Sequence, residues 1–161
     1  MAEVVLKDIG SYKNKLISTL LKSEDICKTL LDTDDISNIQ PKQLVYSHVF
    51  PYLYVDDTQI EVLTYLCVEV DVPRIQTATM KDMKIVIWAC CHKDCMKYMT
   101  SGYVGSRVDV LADMIERLLR ESNDYGIGKP TLESVTHFYP NKEYYGRQIV
   151  FSMPDFKIKD R

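Results

Sequence analysis

The sequence predicts an α+β fold in which a largely antiparallel sheet of about four strands is packed by one long helix. Three observations support this prediction. Residues 59–72 alternate between apolar and polar side chains, with the two-residue period of a half-buried strand. Residues 84–91 are apolar on both registers, which is typical of a strand covered on both faces. Residues 107–122 repeat apolar side chains at the spacing of an amphipathic helix.

Two helices are predicted ahead of the sheet. Residues 4–22 carry apolar side chains three and four positions apart, as on one face of a helix. Ser23 is placed to cap a second, short helix, and the acidic pair Glu24 and Asp25 in its first turn complements the helix dipole. Residues 44–57 are aromatic and interrupted by proline, so we predict an irregular connection with a brief helical turn that leads into the sheet.

The core is predicted as a β-β-α-β-β unit over residues 59–153. Pro73 ends the first strand, and the polar residues 74–82 connect it to the second strand. Because this connection is short, the two strands are expected to pair in an antiparallel manner. The first strand should have one buried face and one face that is at least partly in contact with water.

The second half of the unit begins with the long helix. Ser106 and Asp109 have the spacing of a capping box, which predicts where that helix starts. Two further strands are predicted at about residues 132–139 and 147–153, and Pro154 is expected to end the last of them.

The composition is that of one globular domain. The chain has 161 residues, of which 46% are hydrophobic and 27% are charged, and this length is sufficient to bury a core. We predict a single domain over residues 1–161, with N-terminal helices and their connection in 1–58, the core in 59–153 and a loose C-terminus in 154–161.

Charged residues interrupt the apolar ones near the start, which argues against a secretory signal, and no apolar run approaches the roughly 20 residues of a membrane span. The chain is therefore expected in the cytoplasm.

The net charge and the cysteine content limit which functions and which cellular compartment the sequence predicts. The net charge is −3, and lysine and arginine are scattered without a basic stripe, so we predict no sequence-specific binding of nucleic acid. The five cysteines are an odd number, which together with the missing signal predicts reduced thiols in a reducing compartment.

The cysteine-rich segment is the strongest candidate for chemistry. Cys90, Cys91, His92 and Cys95 are of the ligand types that zinc prefers. However, neighbours on a strand point to opposite faces, and no second cysteine or histidine pair stands elsewhere to complete a ligand shell. We therefore predict no metal, no cofactor and no enzymatic activity, and interpret these cysteines as small buried side chains. A small metal-binding Cys/His enzyme is the alternative.

The eleven tyrosines are a second notable feature of the composition, after the cysteines. The following lie near predicted strand ends and loops: Tyr98, Tyr103, Tyr125, Tyr139, Tyr144 and Tyr145. Tyrosine is enriched at protein interfaces because it combines a large rigid surface with a hydroxyl group. The same pattern also fits the edge of a small core, and both interpretations stay open.

The order of the elements suggests a family. The succession of strand pair, helix and strand pair includes the capped helix at 107–122, the Ile127-Gly128 turn, the strand at 132–139, and the closing run Tyr144-Tyr145-Gly146-Arg147-Gln148-Ile149-Val150-Phe151. This order resembles that of the tailed-phage tail-terminator and head–tail joining (neck) proteins. The resemblance covers about residues 59–153.

The resemblance implies a homo-oligomeric ring, commonly a hexamer, that caps the tail tube or sheath and joins it to the capsid connector. It implies a structural virion protein of the tail or neck, assembled in the host cytoplasm, with DNA passing through the ring and no membrane contact. The family has no catalytic residues to carry over. The alternative from another class is a dimeric regulatory module that binds a partner protein through its tyrosine-rich edge.

Two connections between predicted strands are expected to make interface contacts, since interaction residues commonly lie in such segments. They are the 73–82 loop, with Pro73, Arg74 and Ile75, and the turn that carries Tyr144, Tyr145 and Arg147.

Overall fold

A computed structural model describes residues 6–55, 61–75, 77, 80–120, 122, 125 and 129–156. Within these residues the helices are α1 (Lys7–Lys22), α2 (Glu24–Leu31) and α3 (Arg107–Leu119). The strands are β1 (Val49–Phe50), β2 (Thr64–Arg74), β3 (Met80–His92), β4 (Thr131–Phe138) and β5 (Tyr144–Phe156). Short 3-10 helices occupy Pro41–Leu44 and Lys93–Cys95. None of the described helices is long and apolar enough to cross a membrane.

The strands form one sheet in the order β1-β2-β3-β5-β4. The pairs β2–β3, β3–β5 and β4–β5 are antiparallel, and β1 pairs with β2 in parallel. The predicted α+β fold with a largely antiparallel sheet is therefore confirmed. The predicted β-β-α-β-β order appears as β2-β3-α3-β4-β5.

Strand β1 was not predicted. It lies in the aromatic connection, where Val49 pairs with Leu66 and Phe50 with Cys67. Two residues are too few to show a period, so this strand depends on the backbone of β2, which is distant in sequence.

The first two predicted strands are displaced along the chain. Strand β2 begins at Thr64, and residues 61–63 precede it without strand structure, while residues 59–60 lie outside the described part. Strand β3 begins at Met80, earlier than the predicted start at residue 84. The charged Lys81 was expected in the polar connection, but it is buried within the strand. The Lys81 ammonium donates to the Asp8 carboxylate in the first turn of α1, so a lysine at a core position is compensated by an ion pair.

Strand β5 spans Tyr144–Phe156 and does not end at Pro154 as predicted. Strand β4 pairs with β5 only as far as Ser152. Beyond Ser152, the only strand beside β5 among the described residues is β3. Proline is tolerated there because one side of the strand needs no N–H donor. The expected loose C-terminus is therefore wrong for residues 154–156, and residues 157–161 lie outside the described part.

The helix caps follow the sequence prediction. The Asp109 carboxylate accepts hydrogen bonds from the Ser106 backbone N–H at 3.1 Å and from the Ser106 hydroxyl at 2.9 Å, which forms the capping box of α3. The Ser23 hydroxyl accepts from the Ile26 N–H at 3.3 Å and caps α2. Helix α3 ends at Leu119, a few residues before the predicted end at Ser122.

The helices pack against one face of the sheet. The apolar side chains that meet them from the strands include Leu66, Val68, Val70, Met83, Ile85, Ile87, Ala89, Ile149, Phe151 and Met153. On the opposite face, Tyr65 and Cys67 are also buried, because Phe50 and Tyr54 fold back over them. The Phe50 and Tyr54 rings stack with centroids 4.4 Å apart. One face of this strand was predicted to be in contact with water. This prediction is wrong for the first half of β2, because the aromatic connection covers that face.

Candidate functional site

Strand β4 is an exposed edge of the sheet, and we call residues Thr131–Phe138 the β4 edge. Leu132 pairs with Phe151 and Val135 with Ile149, so both side chains lie on the helix-bearing face. Helix α3 lies over β3 and β5 and leaves Leu132 and Val135 40% and 43% exposed. An outer strand with unpaired backbone groups and apolar side chains is a template for pairing with another chain.

A second open edge lies on the opposite side of the sheet. Strand β1 pairs with β2 only at Leu66 and Cys67. Among the described residues, 68–74 therefore have β3 on one side and no strand on the other side. We call residues 68–74 the β2 edge. Lys13 of α1 forms an ion pair with Glu69 near its start. Within the part of the chain that the structure describes, the sheet thus presents two unlike edges with no further strand beside them.

The first predicted interface segment lies at the far end of the β2 edge. Pro73 and Arg74 are the last residues of β2, and Ile75 follows them; all three side chains are exposed. Since β3 begins at Met80, the connection is shorter than the predicted 73–82 loop, and Gln76, Ala78 and Thr79 lie outside the described residues.

The second predicted interface segment requires correction. Tyr144, Tyr145 and Arg147 are not in a turn but in β5. Tyr144 is 1% exposed, its hydroxyl donates to the Glu61 carbonyl, and burial raises its pKa to about 12. Tyr144 therefore belongs to the aromatic cluster of the sheet and not to an outer surface of the chain.

Tyr145 and Arg147 are half-buried. The Arg147 Nε donates to Asp109 Oδ1 at 2.9 Å, which links β5 to the first turn of α3. His92 pairs with Tyr144 and Asp82 with Pro154, so Tyr145 and Arg147 lie at the opposite end of the sheet from Arg74, the partner of Asp82. The two predicted segments are therefore not brought together in one chain.

The cysteine-rich segment divides into two groups. Cys90 lies with Tyr65 and Cys67 on the aromatic face, whereas Cys91 lies opposite Thr64 on the helix-bearing face. The predicted divergence of these two neighbours is confirmed. Across the described residues, no group of three or more histidine, cysteine, aspartate or glutamate side chains is placed to hold a metal ion.

His92 lies with Cys90 on the aromatic face. Its ring meets Tyr144 edge to face with centroids 5.3 Å apart, and its Nδ1 accepts from the Asp94 N–H at 3.0 Å. The His92 ring therefore closes the end of the aromatic cluster and starts the 3-10 helix Lys93–Cys95.

Cys91 and Cys95 form a close sulfur pair, with 2.9 Å between their Sγ atoms. The hydrogen bond from the Cys91 thiol lowers the pKa of Cys95 to about 6, and the same contact together with burial raises the pKa of Cys91. The sequence contained the C-x-x-x-C spacing, but the 3-10 helix that folds Cys95 back onto the strand was not predicted.

Arg107 was missed by sequence reasoning although it is the first residue of a correctly predicted helix. Its buried guanidinium donates to the Cys95 carbonyl at 2.7 Å, to the Thr29 carbonyl at 2.8 Å and to Asp32 Oδ1 at 2.8 Å. It also lies over the Tyr98 ring, 4.1 Å from the centroid. Arg107 therefore holds the end of α2, the start of α3 and the Cys95 turn together.

The fold and these surfaces define a small α+β protein whose sheet, over the described residues, has five strands and two open edges. Over residues 23–153 the chain matches the YomW family, and it belongs to that family. The family is phage-derived, of the SPbeta type, so the chain is a phage-associated protein. No curated protein matches the chain.

Proposed function

We propose that the chain is a structural subunit of a phage virion, acting at the head–tail junction as a tail terminator or neck ring protein. The observation that carries this proposal is the pair of unlike edges that the described strands leave open on one sheet. An edge that pairs with its own copy closes a dimer, whereas one edge that pairs with a different edge of the next copy repeats around a ring.

The two edges are comparable in length. Strand β4 offers eight residues of outer backbone, and the β2 edge spans residues 68–74. Pairing of the β4 edge with the β2 edge of the next subunit satisfies the backbone groups of both and covers the exposed side chains of Leu132 and Val135. This contact extends the sheet from one subunit into the next.

Ring formation through the sheet edges leaves the two ends of the sheet available for other proteins. Pro73 and Arg74 end the β2 edge and so lie in the contact between neighbouring subunits. We assign the end at Ile75 and the end at Tyr145 and Arg147 to the tail tube or sheath and to the connector. The net charge of −3 suits a ring through which DNA passes without being retained. The phage-derived family supports the virion setting.

Exchange of Val135 for lysine tests the edge contact. We expect Val135→Lys to weaken self-association at least about tenfold, or 1.4 kcal/mol, because an ammonium group on the β4 edge must be desolvated in the contact. Static light scattering measures this as a shift from a multiple of 18.7 kDa toward the single-chain mass. Val104→Lys is the matched control, because Val104 is 92% exposed in a loop distant in sequence from β4.

The same variants can be tested by complementation in the phage. In an induced prophage that lacks this gene, the wild-type chain and Val104→Lys should restore joined particles, whereas Val135→Lys should leave separate heads and tails. Equal complementation by both variants contradicts the proposed edge contact. A wild-type mass of two chains favours an isologous dimer, and with it the protein-binding module, over a ring.

A further inference from the structure

We propose that Cys91 and Cys95 form a reversible disulfide site that reacts with small-molecule disulfides such as oxidised glutathione. The site is independent of the assembly proposed above, because its geometry lies within one chain. Two neighbouring thiols are oxidised to a disulfide by the loss of two electrons, and this reaction needs no metal or cofactor.

The placement of the two sulfurs carries the proposal. The Sγ atoms are 2.9 Å apart, and the Thr64 hydroxyl lies 3.6 Å from each of them. Cys91 is at the end of β3 and Cys95 is in the 3-10 helix that follows, so a turn of the backbone already brings the sulfurs into contact. Little backbone movement separates this contact from a covalent bond.

The two cysteines differ in access and charge, as a reacting and a resolving cysteine do. Cys95 is half-buried, while Cys91 is fully buried behind it. Cys95 carries the lower pKa, so it is the thiolate that attacks, and Cys91 holds the shared proton. The buried Arg107 guanidinium favours negative charge on the pair and fixes the Cys95 backbone by its hydrogen bond to the carbonyl.

The reaction balances in two steps. The Cys95 thiolate attacks one sulfur of oxidised glutathione, so that a Cys95–glutathione bond forms and one glutathione thiolate leaves. The Cys91 sulfur then loses its proton and attacks the Cys95 sulfur, so that the Cys91–Cys95 bond forms and the second glutathione leaves. The chain is oxidised by two electrons, and the two released glutathione molecules carry away these electrons and the Cys91 proton.

The remaining cysteines provide internal controls. Cys27, Cys67 and Cys90 are all buried, and burial raises the pKa of each, to about 12 for Cys67. Cys67 and Cys90 are neighbours on the aromatic face, so they form a second cysteine pair without an exposed member. They are expected to stay reduced under conditions that oxidise Cys91 and Cys95.

Peptide mapping tests the proposal on the full chain. After incubation with oxidised glutathione and alkylation of free thiols, cleavage after lysine separates residues 85–93 from residues 94–97, because Lys93 lies between the two cysteines. We expect these peptides to be recovered as one disulfide-linked species, with Cys27 and Cys67 alkylated. Fragmentation of that species should place the bond on Cys91 and not on Cys90.

Two cysteine variants test the two steps of this thiol–disulfide exchange separately. Cys91→Ser should accumulate glutathione on Cys95 without forming the linked species, and Cys90→Ser should form it as the wild type does. Recovery of alkylated Cys95 from the wild-type chain overturns the proposal, and so does a bond that fragmentation assigns to Cys90. Both of these results come from the wild-type chain, so the test does not depend on the variants folding.

Discussion

Replacement of Lys81 by methionine is expected to lower the free energy of unfolding by about 3–5 kcal/mol. The Lys81 ammonium is fully buried and donates to Asp8, which is itself buried in the first turn of α1. Methionine fills a similar volume but leaves the Asp8 carboxylate in the protein interior without this cation. Equilibrium unfolding in urea, followed by circular dichroism, measures the loss.

Lys84→Met is the matched control for Lys81→Met. Lys84 lies on the same strand and also pairs with a carboxylate, Glu133, at 3.1 Å, but both side chains are exposed. Such a surface pair contributes about 0–1 kcal/mol. The double variant Asp8→Leu with Lys81→Met should recover much of the stability that Lys81→Met loses, because it removes both charges together. Equal losses in Lys81→Met and Lys84→Met are inconsistent with a buried ion pair.

Replacement of Arg107 by methionine is expected to lower the free energy of unfolding by about 3 kcal/mol. The substitution removes the donors that satisfy the Thr29 and Cys95 carbonyls and the contact over the Tyr98 ring. Three segments that are distant in sequence meet at this guanidinium group, so its loss loosens the end of α2 and the Cys95 turn together. Thermal and urea unfolding of the variant measure the effect.

Arg117→Met is the matched control on the same helix. Arg117 also lies over a tyrosine ring, 4.5 Å from the centroid of Tyr103, and it pairs with Asp113 at 2.8 Å, but its side chain is 49% exposed. A loss below about 1 kcal/mol is expected for Arg117→Met. If Arg107→Met is as stable as Arg117→Met, the role assigned to the buried guanidinium is wrong.

The parts of the fold that were predicted correctly are those with a local signal. Helix α3 has a complete apolar period and a capping box at Ser106 and Asp109, so its start followed from neighbouring residues alone. The central part of β3 is apolar on both faces and therefore had to be a covered strand. These signals do not require knowledge of the rest of the chain.

The parts that were missed depend on partners that are distant in sequence. Lys81 could not be assigned to a buried strand position without Asp8, which lies 73 residues away. Strand β1 exists because the backbone of β2 pairs with it, and Pro154 is tolerated because β4 ends beside Ser152. Tyr144 was predicted at an interface because a tyrosine near a strand end does not reveal which side chains cover it.

The candidate site was predictable only in part. The divergence of Cys90 and Cys91 follows from strand geometry and was expected from the sequence. The Cys91–Cys95 contact requires the 3-10 helix, and the two open edges require the strand order, neither of which the apolar pattern contains.

Electron cryo-microscopy of the phage particle tests the proposed assembly role most directly. We expect several copies of this chain in a ring between capsid and tail, with the β4 edge of each copy beside the β2 edge of the next. Particles that are complete but contain no copy of this chain would contradict the role, and a ring whose subunits meet through other surfaces would contradict the proposed edge contact.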